Sequence, residues 1–201
     1  MKFASNSIIA LAASMSIAGT AGAEAFNGPS VGVQAGWVET KVHNPKTNFG
    51  VTGIDASKDS AMLGGFLAYD KKFGKIVLGG EAGLNFGTSD RVSGGSATNA
   101  VTIDPKRSLD LTARVGYLVT PRTLLYARGG YTNDRVRTTL TAANGTQHAS
   151  ESRDGWLAGV GVEHMLTSRI SARVEYRYAD LGNGHGTYDR NEILTGVAFH
   201  F

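Results

Sequence analysis

Charged side chains recur inside segments of this chain that are otherwise apolar. They are four glutamates and four arginines: Glu81, Glu163, Glu175, Glu192, Arg114, Arg128, Arg173 and Arg177. Each stands next to at least one apolar residue, so in an extended strand it lies on the opposite face from that residue. Carboxylates and guanidiniums that share one face suit either an ion-selective path or a set of structural ion pairs. We expect structural ion pairs.

Histidines suggest a second chemistry. His43, His148 and His185 fall in three different polar segments, and imidazole is a common axial ligand of haem iron. No two of them stand at a ligand spacing such as i, i+4, which favours solvated loop residues and leaves haem binding as an alternative. His164 and His200 lie near the ends of apolar segments, where we expect interfacial positions.

A base and a nucleophile are also close in sequence. His148, Ser150 and Glu151 include the residue types of a hydrolase. Lipid hydrolysis would require them to be held rigidly beside an oxyanion site. They instead follow Asn144-Gly145, a dipeptide typical of a hairpin turn. We therefore expect neither enzymatic activity nor a cofactor.

Composition excludes several classes of site. Cysteine is absent, which excludes disulfides, thiolate metal sites and a cysteine nucleophile. The formal net charge is only +3, and the basic residues are scattered, so nucleic acid is not an expected partner. Glycine is frequent, at 27 of 201 residues, and recurs inside alternating segments, where it marks bends or close backbone approach.

The first 23 residues have the pattern of a secretory signal peptide. Lys2 supplies the positive charge, an apolar stretch runs from Ile8 to Ile17, and Ala21-Gly22-Ala23 fits a cleavage site. The apolar stretch has about ten residues, whereas a membrane-spanning helix needs ~20. We expect a signal peptide at residues 1–23 and a single barrel domain at residues 24–201.

Eight segments alternate with the period of two that predicts β-strands. Their apolar positions run through residues 31–37, 61–69, 76–86, 109–119, 125–131, 156–162, 170–178 and 193–201. A tilted strand needs about 9–11 residues to cross the hydrocarbon of a membrane. These apolar runs span 7 to 11 residues, so together with their flanking residues they reach that length.

The predicted connections alternate in length. Short turns are expected at residues 70–74, 120–122 and 167–168, and long polar loops near residues 41–59, 88–106, 133–153 and 180–190. This asymmetry is typical of outer-membrane barrels, with the long loops outside and the short turns in the periplasm. We expect the third loop to continue as a hairpin above the membrane, with its turn at Asn144-Gly145.

Aromatic residues on the apolar faces predict two girdles at the membrane–water interfaces. The outer girdle comprises Trp37, Phe86, Tyr131, Trp156 and Tyr178, and the inner girdle comprises Tyr69, Tyr117, Phe199 and Phe201. In a soluble lipocalin-like barrel the charged face would form the core, at a large desolvation cost. The sequence therefore predicts an all-β, eight-stranded antiparallel transmembrane β-barrel with four long outer loops and three short periplasmic turns. Such a barrel is only wide enough for side chains to fill it, so we expect a plugged, ion-paired lumen.

Three segments resemble a known family. They are RVEYRYADLG at residues 173–182, LLYARGGY at residues 124–131 and the ending TGVAFHF at residues 195–201. The chain resembles the small OmpA-like outer-membrane β-barrel proteins, and more narrowly the porin-like surface antigens of alpha-proteobacteria. The resemblance implies an outer-membrane location and a structural or surface-antigen role. It also implies that the barrel-assembly machinery recognises the last strand through Phe201, Phe199 and Val197.

Outer-membrane lipid and lipopolysaccharide are the other expected partners. Arginines in or beside the outer loops have the guanidinium geometry that suits phosphate oxygens: Arg91, Arg107, Arg135, Arg137 and Arg153. We expect a structural surface protein of the outer membrane. The alternatives are a haem-binding surface protein, which would use the loop histidines, and a narrow porin of low conductance.

Overall fold

The computed structural model describes residues 24–43, 46–47, 50–51, 55–87, 92–96, 99–142, 145–181 and 187–201, with side chains at 24–41, 57, 59–87, 107–135, 152–181 and 189–201. The regular structure in these ranges is β-strand. Within the same ranges, no helix has the length and apolar character needed to cross a bilayer.

Eight long strands form a closed antiparallel barrel, which confirms the predicted architecture. In order around the wall, they are β1 (Gly28–His43), β4 (Asp55–Phe73), β5 (Ile76–Gly87), β7 (Asn99–Thr120), β8 (Thr123–Ala142), β9 (Gly145–Met165), β10 (Ile170–Asp180) and β11 (Thr187–His200). The barrel closes because β1 pairs with both β4 and β11.

Three shorter strands complete the sheet structure. Strand β6 (Val92–Ser96) pairs with the outer end of β7, which extends beyond β5. It therefore takes the place of β5 beside that end of β7. Strands β2 (Lys46–Thr47) and β3 (Gly50–Val51) pair only with each other, in the first outer loop.

Alternation places apolar side chains outside and polar ones inside. Val33 on β1 and Leu111 on β7 are each 63% exposed, whereas Gln34 and Thr112, next to them in sequence, are buried. Lipid surrounds the outer face, and closure of the barrel pairs the backbone groups that hydrocarbon cannot solvate. The two faces predicted for each of the eight segments are confirmed.

The strands are longer than predicted, because they continue beyond the apolar segments. Strand β7 has 22 residues and β9 has 21. Strands β8 and β9 remain paired up to Ala142 and Gly145, so the loop predicted at residues 133–153 continues as a hairpin, as expected. Asn144 of the predicted turn lies outside the described residues. Above the membrane both faces of a strand meet water, so the apolar alternation ends there while backbone pairing goes on.

The first short turn lies later than predicted. Strand β4 continues to Phe73, and the turn consists of Gly74, with a φ of 63°, and Lys75. Asp70, assigned from the sequence to the turn, is fully buried in the interior. The polar run Asp70-Lys71-Lys72 resembles a turn in sequence, but Asp70 has a partner inside the barrel.

Charge on the lipid-facing surface should destabilise the barrel according to depth. Val174 lies at the middle of the outward face of β10, and Ile170 begins that strand at its periplasmic end. We expect Val174→Arg to lower the free energy of unfolding by about 2–4 kcal/mol, and Ile170→Arg by about 0–1 kcal/mol. Urea titration in lipid vesicles measures both. Equal losses would contradict a membrane-spanning orientation of β10.

Candidate functional site: the ion-paired barrel interior

The eight charged residues predicted from the alternation all lie buried inside the barrel. The structure adds five buried charged residues that the prediction did not include: Asp70, Asp110, Asp134, Arg153 and Arg190. Seven carboxylates thus accompany six guanidiniums in the described interior. The near balance of charge allows extensive pairing, and buried charges require pairing.

Glu81 lies at the centre of the network. Its carboxylate accepts hydrogen bonds from Arg128 Nη1 at 2.7 Å and from Arg173 Nη1 at 2.6 Å. Strands β5 and β10, which carry Glu81 and Arg173, lie on opposite sides of the barrel. This ion pair therefore crosses the interior. Arg128 also contacts Glu175, at 3.0 Å.

A second layer lies nearer the cell exterior. Gln34 donates to Asn85 at 2.7 Å, and Asn85 donates to Asp110 at 2.8 Å. Arg177 Nη1 binds the same Asp110 oxygen at 3.2 Å. Gln34 Oε1 accepts from Arg173 Nη2 at 2.7 Å, so the two layers form one continuous network.

Three further contacts join this network, and the last of them lies near the outer rim. Arg177 also pairs with Glu175, and its Nη1 lies 3.9 Å from Glu192. Arg190 donates to Asp134 at 2.6 Å.

A third layer lies toward the periplasm. Arg114 bridges Asp70 and Glu163, with its Nη1 2.9 Å from Glu163. Ser171 Oγ donates to Glu163 at 2.6 Å and lies 2.9 Å from His200 Nε2. His200, expected at the interface, is instead buried, because the alternation of β11 turns it inward.

The cluster of Ser171, His200 and Glu163 has the residue types of a hydrolytic triad but not its arrangement. Glu163 contacts the serine and the same ring nitrogen, Nε2, that faces the serine. In a triad the carboxylate orients the opposite nitrogen of the ring. All three side chains are buried, and their contacts fit a structural role.

An apolar cap of buried side chains lies at the periplasmic end of this interior. Phe26 has a φ of 59°, is fully buried and stands edge-on to the His200 ring, with 6.0 Å between centroids. It belongs to a cluster of buried side chains with Val77, Leu118, Leu124, Tyr126 and Met165. Nothing in the local sequence predicts the cap, because Phe26 precedes the first alternating segment.

The segment before β1 that carries Phe26 also makes an ion pair on the barrel surface. Glu24 pairs with Lys72 at 2.9 Å. This hydrogen bond, together with the lysine charge, lowers the pKa of the Glu24 carboxyl below its ordinary value. The contact ties the start of the described chain to β4.

Inward-facing glycines make room for the large interior side chains. A Cβ added at Gly79 would lie 2.0 Å from Asp70 Oδ1, and one at Gly161 would lie 2.6 Å from the Tyr126 ring. Real contacts are never this short, so an alanine at either position would displace a member of the network. The high glycine content is partly explained by this need for space.

The nine aromatic residues predicted as girdles lie at two levels of the outward face. Near the outer rim, Trp156 and Tyr178 have ring centroids 5.6 Å apart, and Trp37 Nε1 donates to Asp59 at 3.3 Å. Near the periplasmic rim, the rings of Phe199 and Phe201 lie 5.2 Å apart. The remaining members are Phe86, Tyr131, Tyr69 and Tyr117, all exposed.

The predicted haem ligands cannot be placed. His43 ends β1 and His148 belongs to β9, but their side chains lie outside the described residues, as does all of His185. The side chains of Ser150 and Glu151 also lie outside the described residues. Among the described residues, no group of three or more acidic or histidine side chains is arranged to hold a metal ion.

Curated relatives of the chain are outer-membrane proteins. The 25 kDa outer-membrane immunogenic protein of Brucella ovis is 30% identical over 145 residues, which are 71% of this chain and 65% of that protein. The 22 kDa outer membrane protein of Rhizobium leguminosarum is 30% identical over 145 residues, 68% of this chain and 64% of that protein. Both matches thus cover slightly less than two thirds of the relative. The 31 kDa outer-membrane immunogenic protein of Brucella melitensis is 24% identical over 199 residues, 87% of this chain and 80% of that protein.

Solved barrels share the fold at low sequence identity. Neisserial surface protein A has a TM-score of 0.55 at 15% identity, covering 87% of this chain and 100% of that one. Ail, the attachment invasion locus protein of Yersinia pestis, has a TM-score of 0.54 at 15% identity, covering 87% and 99%. Residues 8–201 also match the family described as the outer membrane protein beta-barrel domain. The chain therefore belongs to this family of β-barrels, and its location is the bacterial outer membrane.

Proposed function

We propose that the protein is a structural surface protein, in which a closed barrel anchors extended hairpins on the outside of the cell. The observation that carries this proposal is the ion pair between Glu81 and Arg173, which joins opposite walls at 2.6 Å. An eight-stranded barrel is just wide enough for such side chains to fill it. Phe26 adds an apolar cap at the periplasmic end.

In this proposal, the outer hairpins are the part of the chain that is exposed at the cell surface. Strands β8 and β9 continue together from the outer girdle at Tyr131 and Trp156 to Ala142 and Gly145. Relatives named as outer-membrane immunogenic proteins support a role in which such surfaces are exposed to the environment of the cell.

We also propose that the outer rim binds lipopolysaccharide phosphate through Arg107 and Arg135. The two residues stand directly opposite each other on β7 and β8, and both are exposed. Along the outward face of these two strands, the pair Leu109 and Asn133 follows the girdle residue Tyr131 toward the cell exterior. Arg107 and Arg135 are the next outward-facing pair. Like charges directly opposite each other are destabilising, and a phosphate between two guanidiniums would relieve the repulsion.

Neutralising Glu81 should destabilise the barrel strongly. Glu81→Gln leaves Arg128 and Arg173 without their shared carboxylate, and loss of one partner of a buried pair costs about 3–5 kcal/mol. Glu39→Gln is the matched control, because its partner Lys41 and Glu39 itself are both solvent-accessible, and such pairs contribute about 0–1 kcal/mol. Urea unfolding in vesicles compares the two. If Glu81→Gln lowers the free energy of unfolding no more than Glu39→Gln does, the interior ion pairs do not stabilise the barrel.

Conductance in planar lipid bilayers tests whether the lumen is closed. We expect no steady openings from the unmodified protein. Phe26→Ala should also stay closed, because the layer of Glu81, Arg128 and Arg173 still crosses the interior. Steady openings of the unmodified protein would favour the porin alternative. Openings that appear only in Phe26→Ala would show that the cap, and not the ion pairs, closes the barrel.

Titration with purified lipopolysaccharide tests the outer-rim site. Each of Arg107→Gln and Arg135→Gln should weaken binding by about fivefold, the usual effect of one basic residue at an anionic lipid surface. Arg169→Gln, in a periplasmic turn, makes the same charge change and should have no effect. Dephosphorylated lipopolysaccharide should bind the unmodified protein and the three variants with equally low affinity. Unchanged affinity in both rim variants would refute the site.

A further inference from the structure

The periplasmic rim of the barrel is basic. Its turns and adjoining strand ends carry five described cationic side chains, all at least partly accessible: Lys71, Lys72, Lys75, Arg122 and Arg169. Glu24 is the accessible carboxylate described at this rim, and it pairs with Lys72. The rim is therefore an attractive surface for anions, and it faces the periplasmic leaflet of the membrane.

Two concavities adjoin on one side of this rim. The first, of about 390 Å³, lies between neighbouring turns and is lined by Lys72, Lys75, Leu118 and Pro121 among others. Its entrance is cationic on the side of β4 and β5. Arg122 follows Pro121 in the second turn and is exposed.

The second concavity, of about 510 Å³, lies on the lipid-facing wall and is almost entirely apolar. It forms around Ala127, whose small side chain stands between Val115 and Val160 on the neighbouring strands. The larger side chains of Tyr117 and Leu125 form its periplasmic end. This end of the groove lies beside the cationic concavity, because Ile76 and Tyr117 of the groove are next in sequence to Lys75 and Leu118 of the concavity.

Lys75 connects the two concavities. It lines the first, directly precedes Ile76 of the second, and holds its Nζ 5.9 Å from the centre of the Tyr117 ring. A cationic cleft at the membrane surface beside an apolar groove matches a molecule with a phosphate at one end and a hydrocarbon chain at the other.

We propose that this is a binding site for an anionic phospholipid of the periplasmic leaflet. The phosphate binds Lys75 and Arg122 through charge-assisted hydrogen bonds, and one acyl chain lies in the groove over Ala127. Hydrocarbon fills the groove with little desolvation of polar groups, because the outward-facing lining side chains are apolar apart from the Tyr117 hydroxyl. The site is independent of the outer-rim arginines and of the interior network.

Dioleoyl phosphatidylglycerol, titrated into the full-length protein in detergent and followed by native mass spectrometry, tests the site. Lys75→Gln and Arg122→Gln should each weaken its binding by about fivefold. Ala127→Phe fills the groove and should weaken binding by roughly tenfold, since about two CH₂ groups lose their buried position. Arg169→Gln, on the same rim but in another turn, is the matched control and should bind normally.

Three comparisons decide between this site and simpler explanations. Zwitterionic phosphatidylcholine should bind more weakly than phosphatidylglycerol to the unmodified protein, and this difference in affinity should be smaller in Lys75→Gln and in Arg122→Gln. If Arg169→Gln loses as much affinity for phosphatidylglycerol as Lys75→Gln does, the proposal is overturned in favour of non-specific attraction to the basic rim. Competition by inorganic phosphate, with full affinity in Ala127→Phe, would overturn it in favour of a phosphate site without a lipid. A change of apparent mass on boiling, seen on denaturing gels, verifies that each variant is folded.

Discussion

A charge inside the barrel must find its counter-charge inside the barrel, because lipid lies outside the wall, and most of the described ion pairs join different strands. Glu81 on β5 meets this constraint with Arg128 on β8 and Arg173 on β10. Neither of those strands is a neighbour of β5. The ion pairs therefore connect parts of the wall that backbone hydrogen bonds do not join.

The other features of the interior follow from this constraint. Glycines such as Gly79 and Gly161 stand where a Cβ would collide with Asp70 or Tyr126. Arg173 also lies over the Phe66 ring, 3.6 Å from its centre, which stabilises a guanidinium removed from water. These buried contacts stabilise the charged side chains inside the barrel.

The two ends of the barrel differ in ways that suit the two leaflets of an outer membrane. At the outer end, paired strands extend beyond the girdle and carry Arg107 opposite Arg135. At the periplasmic end, turns are short, Phe26 belongs to an apolar cluster, and lysines and arginines lie in or beside the turns. The family membership covers both ends, whereas the ligands of each rim are our proposals.

Much of the fold could be predicted from local pattern, and the gaps have physical causes. The alternation placed Glu81 and Arg173 on the inner face because side-chain direction in a strand depends only on the parity of the position. Asp70 was assigned to a turn because its neighbours are lysines. Asp134 and Arg190 were assigned to loops or loop ends because the apolar alternation stops near them, although the backbone pairing does not.

The sequence by itself determined that eight strands cross a membrane, which faces meet lipid and which charges turn inward. These properties follow from a period of two residues within each strand. The tertiary structure decided which charges meet, that Phe26 caps the interior, and that Lys75 lies beside an apolar groove. Such contacts depend on the register of all eight strands around a closed barrel, and register joins residues as distant in sequence as Glu81 and Arg173.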